Sequence, residues 1–184
     1  MNLERLWLIT LLTKKINEDI RLNIKSGIFT ILIFITYRVG HEICKCHGVK
    51  RGFYFPLYFL IYSFHRFLSL VVGCSIPFSA ELGRRIIFQH GFYGVFISSM
   101  ATIEDDCIIL HQVTIGSNIS GDDSKPVGAP RICSRTFVGV GAKIIGPLVV
   151  GEQCKIGANC LIINDVPKYS KCLSPLSSCV IVSN

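Results

Sequence analysis

The sequence contains few acidic residues and no long run of basic ones. It has 12 aspartates and glutamates against 19 lysines and arginines, which gives a formal charge of +7. Basic residues stand at most in pairs, as at Lys14-Lys15 and Lys50-Arg51, and no nucleic-acid-binding motif is present. A nucleic-acid partner is therefore not expected. The excess positive charge favours a phosphate-bearing ligand or an anionic lipid surface.

The features of a secreted or metal-binding protein are also missing. Residues 1–13 are apolar but lack the basic start and small-residue cleavage site of a secretory signal, so we predict a helix there. The nine cysteines are irregularly spaced, which favours reduced thiols in a cytoplasmic protein. Cys44-Lys45-Cys46 is too closely spaced for a usual zinc half-site, and no metal is expected.

The N-terminal segment, residues 1–72, is predicted to be α-helical and apolar. Its longest apolar stretch, Phe53–Val72, is long enough to cross a membrane, but Arg66 lies near its middle, where a charge is costly. Burial of this helix at a subunit interface is favoured, and contact with a membrane surface is the alternative. We expect a cytoplasmic protein, with any such contact at the inner face of the membrane.

A six-residue repeat organises the chain from residue 132 to residue 167. A branched aliphatic residue stands at every sixth position: Ile132, Val138, Ile144, Val150, Ile156 and Ile162. An α-helix repeats its apolar positions every three to four residues and a half-buried strand every two, so neither explains this period. The repeat predicts a parallel β-helix, in which three six-residue steps complete one coil.

The same period runs upstream with two interruptions. Phe88 and Ile97 are nine residues apart, three more than the period, which predicts a bulge in the wall of the β-helix. The apolar pattern disappears between Ser117 and Pro130, which predicts a polar loop over residues 117–130. We therefore expect a mainly β protein with a β-helix over residues 73–168 and a C-terminal tail over residues 169–184.

Two histidines lie at these interruptions. His90 adjoins the bulge, and His111 lies one step before the loop. A neutral imidazole is a suitable general base for an alcohol. A histidine chosen at random is more often structural, bonded to a neighbour. The bulge and the loop favour a catalytic role for these two, His90 above all.

Four sequence segments together resemble the hexapeptide-repeat acyltransferases. They are Val138–Gly146, Asp165-Val166-Pro167, Gln89-His90-Gly91-Phe92 and His111–Gly116. Within that family the likeness is to the serine O-acetyltransferase-like branch, and to its short exopolysaccharide O-acetyltransferases of the colanic acid type. It covers roughly residues 35 to 168.

The resemblance implies a left-handed β-helix, a homotrimer with active sites between subunits, and acetyl transfer from acetyl-CoA to a hydroxyl. It implies that His90 is the catalytic base. His111, one step before the loop, is the second candidate catalytic residue. The expected wall for the pantetheine arm consists of Gly116, Ser117, Gly141, Ala142, Gly157 and Ala158. The side chain of Ala142 is expected to point into the cleft. Lys143 and Arg131 are expected to meet the phosphates.

The chain departs from serine acetyltransferases at three positions where the resemblance assigns aspartates or a histidine to the acceptor site. These positions hold Ser75, Gln89 and Ala129. We therefore predict a glycan acceptor, a sugar hydroxyl in surface polysaccharide synthesis. Serine O-acetyltransferase activity is the first alternative. A non-catalytic β-helix that serves as a binding module is the second.

Overall fold

The computed structural model describes residues 3–45, 55–119 and 126–174, with side chains from Thr10 onward. Three α-helices come first in this part of the chain: α1 (Leu3–Asn23), α2 (Ile28–Lys45) and α3 (Phe55–Val72). A short 3-10 turn, Ile24–Ser26, separates α1 from α2. The described part of the apolar N-terminal segment is therefore helical, as its composition indicates.

Short parallel strands make up the rest of the described chain. They are β1 (Glu81–Leu82), β2 (Ile87–Phe88), β3 (Phe96–Ile97), β4 (Thr102–Ile103), β5 (Ile108–Ile109), β6 (Thr114–Gly116), β7 (Arg131–Ile132), β8 (Phe137–Val138), β9 (Lys143–Ile145), β10 (Val149–Val150), β11 (Lys155–Ile156), β12 (Leu161–Ile162) and β13 (Lys171–Cys172). From β1 to β12 every third strand joins the same sheet, and β13 joins the second sheet beside β11. The first sheet is β1-β4-β7-β10, the second β2-β5-β8-β11-β13 and the third β3-β6-β9-β12.

This topology is the predicted left-handed parallel β-helix. The repeated aliphatic residues stack in register from coil to coil, as Ile109 pairs with Val138 and Val138 with Ile156. These three side chains are fully buried, so the six-residue period marks the residues that fill the core. Burial of such side chains from water is the main source of the coil's stability.

The structure describes part of the predicted loop and part of the predicted C-terminal tail. β6 ends at Gly116 and β7 begins at Arg131, so residues 117–130 form the connection between them, of which residues 120–125 lie outside the described part. β13 pairs with β11, so the β-helix continues beyond the predicted boundary at residue 168. The predicted end was too early because Lys171–Cys172 continues the coil without the aliphatic signature. Residues 175–184 of the predicted tail are outside the described residues.

Helix α2 is attached to the first coil by a row of polar side chains. The Tyr37 hydroxyl donates to the carbonyl of Ala80 at 2.5 Å, and Nδ1 of His41 lies 2.6 Å from the carbonyl oxygen of Phe78. The Phe78 ring packs directly on Gly40, where a Cβ would collide with it. The segment Tyr37-Arg38-Val39-Gly40-His41 therefore serves to fix the helices to the β-helix.

Helix α3 packs beside α2 and is attached to the same coil. The His65 side chain is buried, with Nδ1 2.8 Å from Oγ1 of Thr36 and Nε2 2.8 Å from the carbonyl oxygen of Ile76. The carbonyl of Ile76 can only accept, so Nε2 of His65 carries a proton. Burial lowers the pKa of His65, which favours the neutral form.

Candidate active site

His90 lies in the extended corner between β2 and β3, where the sequence has its three extra residues. The corner turns through Gly91, whose φ is +77° and whose N–H donates to the carbonyl of Phe88 at 2.9 Å. A Cβ at residue 91 would come within 2.6 Å of Oγ1 of Thr30 on α2, so only glycine fits. The imidazole of His90 is left exposed at the surface, as the bulge predicts.

His111 occupies the corresponding corner of the next coil, between β5 and β6. Its ring lies edge-to-face against that of His90, with the ring centroids 5.4 Å apart and the planes at 80°. Nδ1 of His111 is buried and has no hydrogen-bond partner among the described residues. The corner therefore presents two neighbouring imidazoles, one of them with an unpaired nitrogen. This is the arrangement expected of a site that handles a proton.

The same corner continues along the next two coils. The N–H of Gly141 donates to the carbonyl of His111 at 3.2 Å, and the N–H of Asn159 donates to the carbonyl of Val140 at 2.8 Å. Gly141 has a φ of +70°, and a Cβ there would collide with the amide oxygen of Asn159. Backbone therefore lies at the surface of this wall, where an extended ligand can approach closely.

Six of the predicted site residues lie at or beside this corner of the β-helix, which runs between the second and third sheets. They are His90, His111, Gly141, Lys143, Gly157 and Ala158. Nζ of Lys143 donates to the carbonyl of Gln112 at 2.8 Å, which holds an exposed positive charge beside the two histidines. Gly116 and Ser117 lie at the other end of the third sheet, where β6 gives way to the loop.

Arg131 is not brought to this corner. It lies on the first sheet, where its guanidinium donates to Oε1 of Glu104 from Nε at 2.8 Å and from Nη2 at 2.7 Å. The hydrogen bond to the Glu104 carboxylate raises the pKa of Arg131, so the guanidinium stays charged and paired with this anion. The structure thus gives no support to the prediction that Arg131 meets phosphates together with Lys143.

Ala142 does not line the surface of the wall. Its side chain is fully buried in the β-helix core, its N–H donates to the carbonyl of Gly139, and its carbonyl accepts from Thr114. The expectation that this side chain points into the cleft is therefore wrong. The reason is the six-residue period: residue 142 lies four residues after Val138, at the second of the two positions in each step that point inward.

We therefore expect Ala142→Trp to unfold the protein. An indole placed in a filled core overpacks it, and a cost of about 3 kcal/mol or more is expected. Thermal unfolding measured by circular dichroism should show a strongly lowered Tm. The matched variant is Ala158→Trp, at an exposed position of the same corner, which should fold normally and weaken CoA binding in calorimetry. A well-folded Ala142→Trp protein would contradict the interior placement.

His111→Ala should lower kcat by less than the loss of the base, at most about 10²-fold, because its expected role is to position the reacting groups. Steady-state kinetics with acetyl-CoA as the varied substrate would measure this. His111→Gln serves as the comparison, since it restores a hydrogen-bonding side chain at this place. An inactive His111→Ala protein combined with an active His90→Ala protein would mean that the two roles must be exchanged.

Several contributors to this corner could not be found from the sequence. The carbonyl of Gln112 accepts a hydrogen bond from Lys143, and the side-chain amide of Asn159 lies against Gly141. Neither residue type is diagnostic of a site. Among the described residues, no group of three or more histidines, cysteines or acids could hold a metal ion.

The chain resembles known enzymes in sequence and in structure. It is 33% identical over 136 residues to the serine acetyltransferase of Helicobacter pylori, a match that covers 74% of this chain and 72% of the relative. Serine acetyltransferase isoform 3 of Entamoeba histolytica in complex with cysteine aligns with a TM-score of 0.76 at 20% identity, which shows the fold alone. That alignment covers 96% of this chain and 63% of the other.

A second solved structure, a serine acetyltransferase in complex with CoA, aligns with a TM-score of 0.61 at 26% identity. The alignment covers 79% of this chain and 54% of that one, so the chain spans little more than half of this relative. No protein-family model matches the chain.

Proposed function

Since the chain belongs to the serine acetyltransferase family, we propose that it transfers the acetyl group of acetyl-CoA to the hydroxyl of serine. The chain is an acyltransferase that uses acetyl-CoA as donor, which argues against the non-catalytic binding module. The identity of the acceptor is the part that we propose. The observation that carries it is the 33% identity over 136 residues to an enzyme named for serine.

The prediction of a sugar hydroxyl in surface polysaccharide synthesis is wrong. Relatives at 32% to 36% identity are named serine acetyltransferase, and so are the structural neighbours. The prediction gave too much weight to Ser75, Gln89 and Ala129. Three substitutions in an acceptor site are weaker evidence than identity distributed over more than a hundred residues. The three substitutions themselves remain, and they are where this chain's handling of serine would differ.

The geometry suits direct acetyl transfer with His90 as the base. As the serine hydroxyl oxygen attacks the thioester carbon, Nε2 or Nδ1 of His90 takes the hydroxyl proton. The tetrahedral intermediate then releases the thiol of CoA, which recovers the proton from the imidazolium, and O-acetylserine is the second product. His111 adjoins His90 and is assigned to hold the reacting groups in place. No covalent enzyme intermediate is needed.

The donor is assigned to the wall that continues from the two histidines. Gly141, Gly157 and the exposed Ala158 leave backbone accessible to the pantetheine arm, and Gly116 and Ser117 extend the wall toward the loop. Lys143 supplies a positive charge for the phosphates. This assignment is supported by placement along one edge of the coil, with Ala142 contributing only its core packing.

A homotrimer in the cytoplasm completes the proposal. The outer face of the third sheet aligns Phe96, Thr114, Lys143 and Leu161 in register, and its two large apolar side chains are 49% and 66% exposed, as a subunit contact requires. All seven cysteines of the described residues are free thiols, which suits a reducing compartment. Light scattering after gel filtration would measure the mass.

Release of free CoA thiol tests the acceptor. The purified full-length chain is mixed with acetyl-CoA and one of several acceptors: serine, threonine, alanine or glycerol. We expect rapid thiol release with serine and only background hydrolysis with alanine, which has no hydroxyl. A rate with serine no greater than that with alanine would overturn the proposed acceptor while leaving the acyltransferase class intact.

A further inference from the structure

Helix α3 has an outer face of large apolar side chains that nothing in the described chain covers. Nine of them are between 44% and 73% exposed: Phe55, Leu57, Phe59, Leu60, Tyr62, Phe64, Phe67, Leu70 and Val71. Single exposed apolar residues are normal on soluble proteins, but a contiguous patch of this kind marks an interaction surface. The question is therefore which partner covers it.

The helix cannot cross a bilayer while it remains in this fold. By length and composition it qualifies, with 18 residues and a mean hydropathy of 1.4, but 22% of it is buried in the protein. The buried stripe is His65, Leu68, Ser69 and Val72. His65 is hydrogen-bonded to Thr36 and to the carbonyl of Ile76, so this stripe is fixed against α2 and the first coil. Only the outer face is free to meet a partner.

The exposed apolar positions extend over more than half of the helix circumference, at about 100° per residue. Leu57, Leu60, Phe64, Phe67 and Val71 follow the alternating three- and four-residue spacing of a two-helix seam, which makes a second copy of the chain the competing partner. Such a seam would leave Phe55, Phe59 and Leu70, on the other side of the helix, in water. A lipid surface covers both sides at once.

The charge on the helix also favours lipid. α3 contains no acidic residue, and its charged side chain is Arg66, which is exposed. The whole chain carries +7. A guanidinium at the edge of an apolar face can reach anionic headgroups while its stem lies along the acyl boundary. The face therefore matches an anionic bilayer in both shape and charge.

We propose that the outer face of α3 binds the surface of an anionic membrane, with its apolar side chains in the boundary between headgroups and acyl chains. This inference is independent of the acceptor. The N–H of Gly94 donates to the carbonyl of Gly73, which directly follows α3, at 3.2 Å. Membrane binding would thus hold the corner with His90 beside the lipid surface.

Co-sedimentation with vesicles tests the proposal on the full-length protein. The vesicles are made of phosphatidylcholine alone, or of equal parts phosphatidylcholine and phosphatidylglycerol. We expect the protein to bind the anionic vesicles more tightly, and added salt to weaken the binding. Leu60→Ser with Phe67→Ser should reduce affinity at least about tenfold, because two large side chains no longer leave water. Both positions are exposed, so folding should be preserved.

A matched pair of substitutions controls for general surface effects. Thr13→Ala with Asn17→Ala alters two exposed positions on α1 and should leave vesicle binding unchanged. Each protein is also sized in the absence of lipid. Absence of binding to either vesicle would overturn the proposal. So would a fall in mass of the Leu60→Ser/Phe67→Ser protein with unaltered vesicle binding, because the face would then be a contact between copies of the chain.

Discussion

His90→Ala should lower kcat by ~10²–10⁴-fold, the range over which a positioned general base contributes. The side chain is exposed at its corner, so its removal should change neither the fold nor the Tm appreciably. Affinity for CoA, measured by calorimetry, should stay close to that of the wild type because the donor wall lies on the following coils. The expected signature is a loss in kcat with little change in donor binding.

The comparison that separates chemistry from structure is His90→Gln, which retains hydrogen bonding but cannot accept a proton at neutral pH. It should be nearly as inactive as the alanine variant. Turnover near the wild-type rate in either folded variant would refute the assignment of His90 as base. The two histidines adjoin each other, so the double variant with His111→Ala should lose little more than His90→Ala alone.

Arg38→Met should lower the free energy of unfolding by ~3–5 kcal/mol, the cost of removing one partner from a buried ion pair. Arg38 is 2% exposed and Asp19 is 1% exposed. Nε of Arg38 donates to Oδ2 of Asp19 at 2.7 Å, and its other nitrogens donate to the carbonyls of Leu82 and Gly83 at 2.7 and 2.6 Å. The substitution leaves a carboxylate and two carbonyls buried without these partners.

The double variant Asp19→Asn/Arg38→Met shows how much of the lost stability comes from the unpaired charge of the Asp19 carboxylate. Burial raises the pKa of Asp19 while the Arg38 guanidinium opposes that rise, so the carboxylate depends on the arginine for its charged state. Removing the charge should recover part of the lost stability, and urea unfolding of both proteins would measure the recovery. Equal stability of Arg38→Met and the wild type would show that this pair does not fix α1 and α2 to the β-helix.

The β-helix was predictable because one aliphatic residue marks each six-residue step of the coil. Ile132, Val138 and Ile156 each fill one step of the coil, and both interruptions of the period coincide with real departures from it. The exposed position of His90 followed from the first interruption. A pattern of this kind depends on local geometry alone, so it survives without knowledge of the rest of the chain.

Features that depend on contacts distant in sequence were not predictable. The ion pair Asp19–Arg38 joins α1 to α2, and Arg131 forms an ion pair with Glu104, 27 residues away. Ala142 lies four residues after Val138, at an inward position of the repeat, but its direction was predicted from the resemblance to a donor wall. The acceptor was predicted wrongly because Ser75, Gln89 and Ala129 were interpreted one by one, without the similarity of the whole chain to serine acetyltransferases.

The most direct test of acetyl transfer to serine is mass spectrometry of the product. The full-length protein is incubated with serine and acetyl-CoA labelled with a heavy isotope in its acetyl group. We predict O-acetylserine that carries the label, formed in proportion to the CoA released, and none with the His90→Ala protein. Label recovered only as free acetate, or CoA released without any acetylserine, would contradict the proposed reaction.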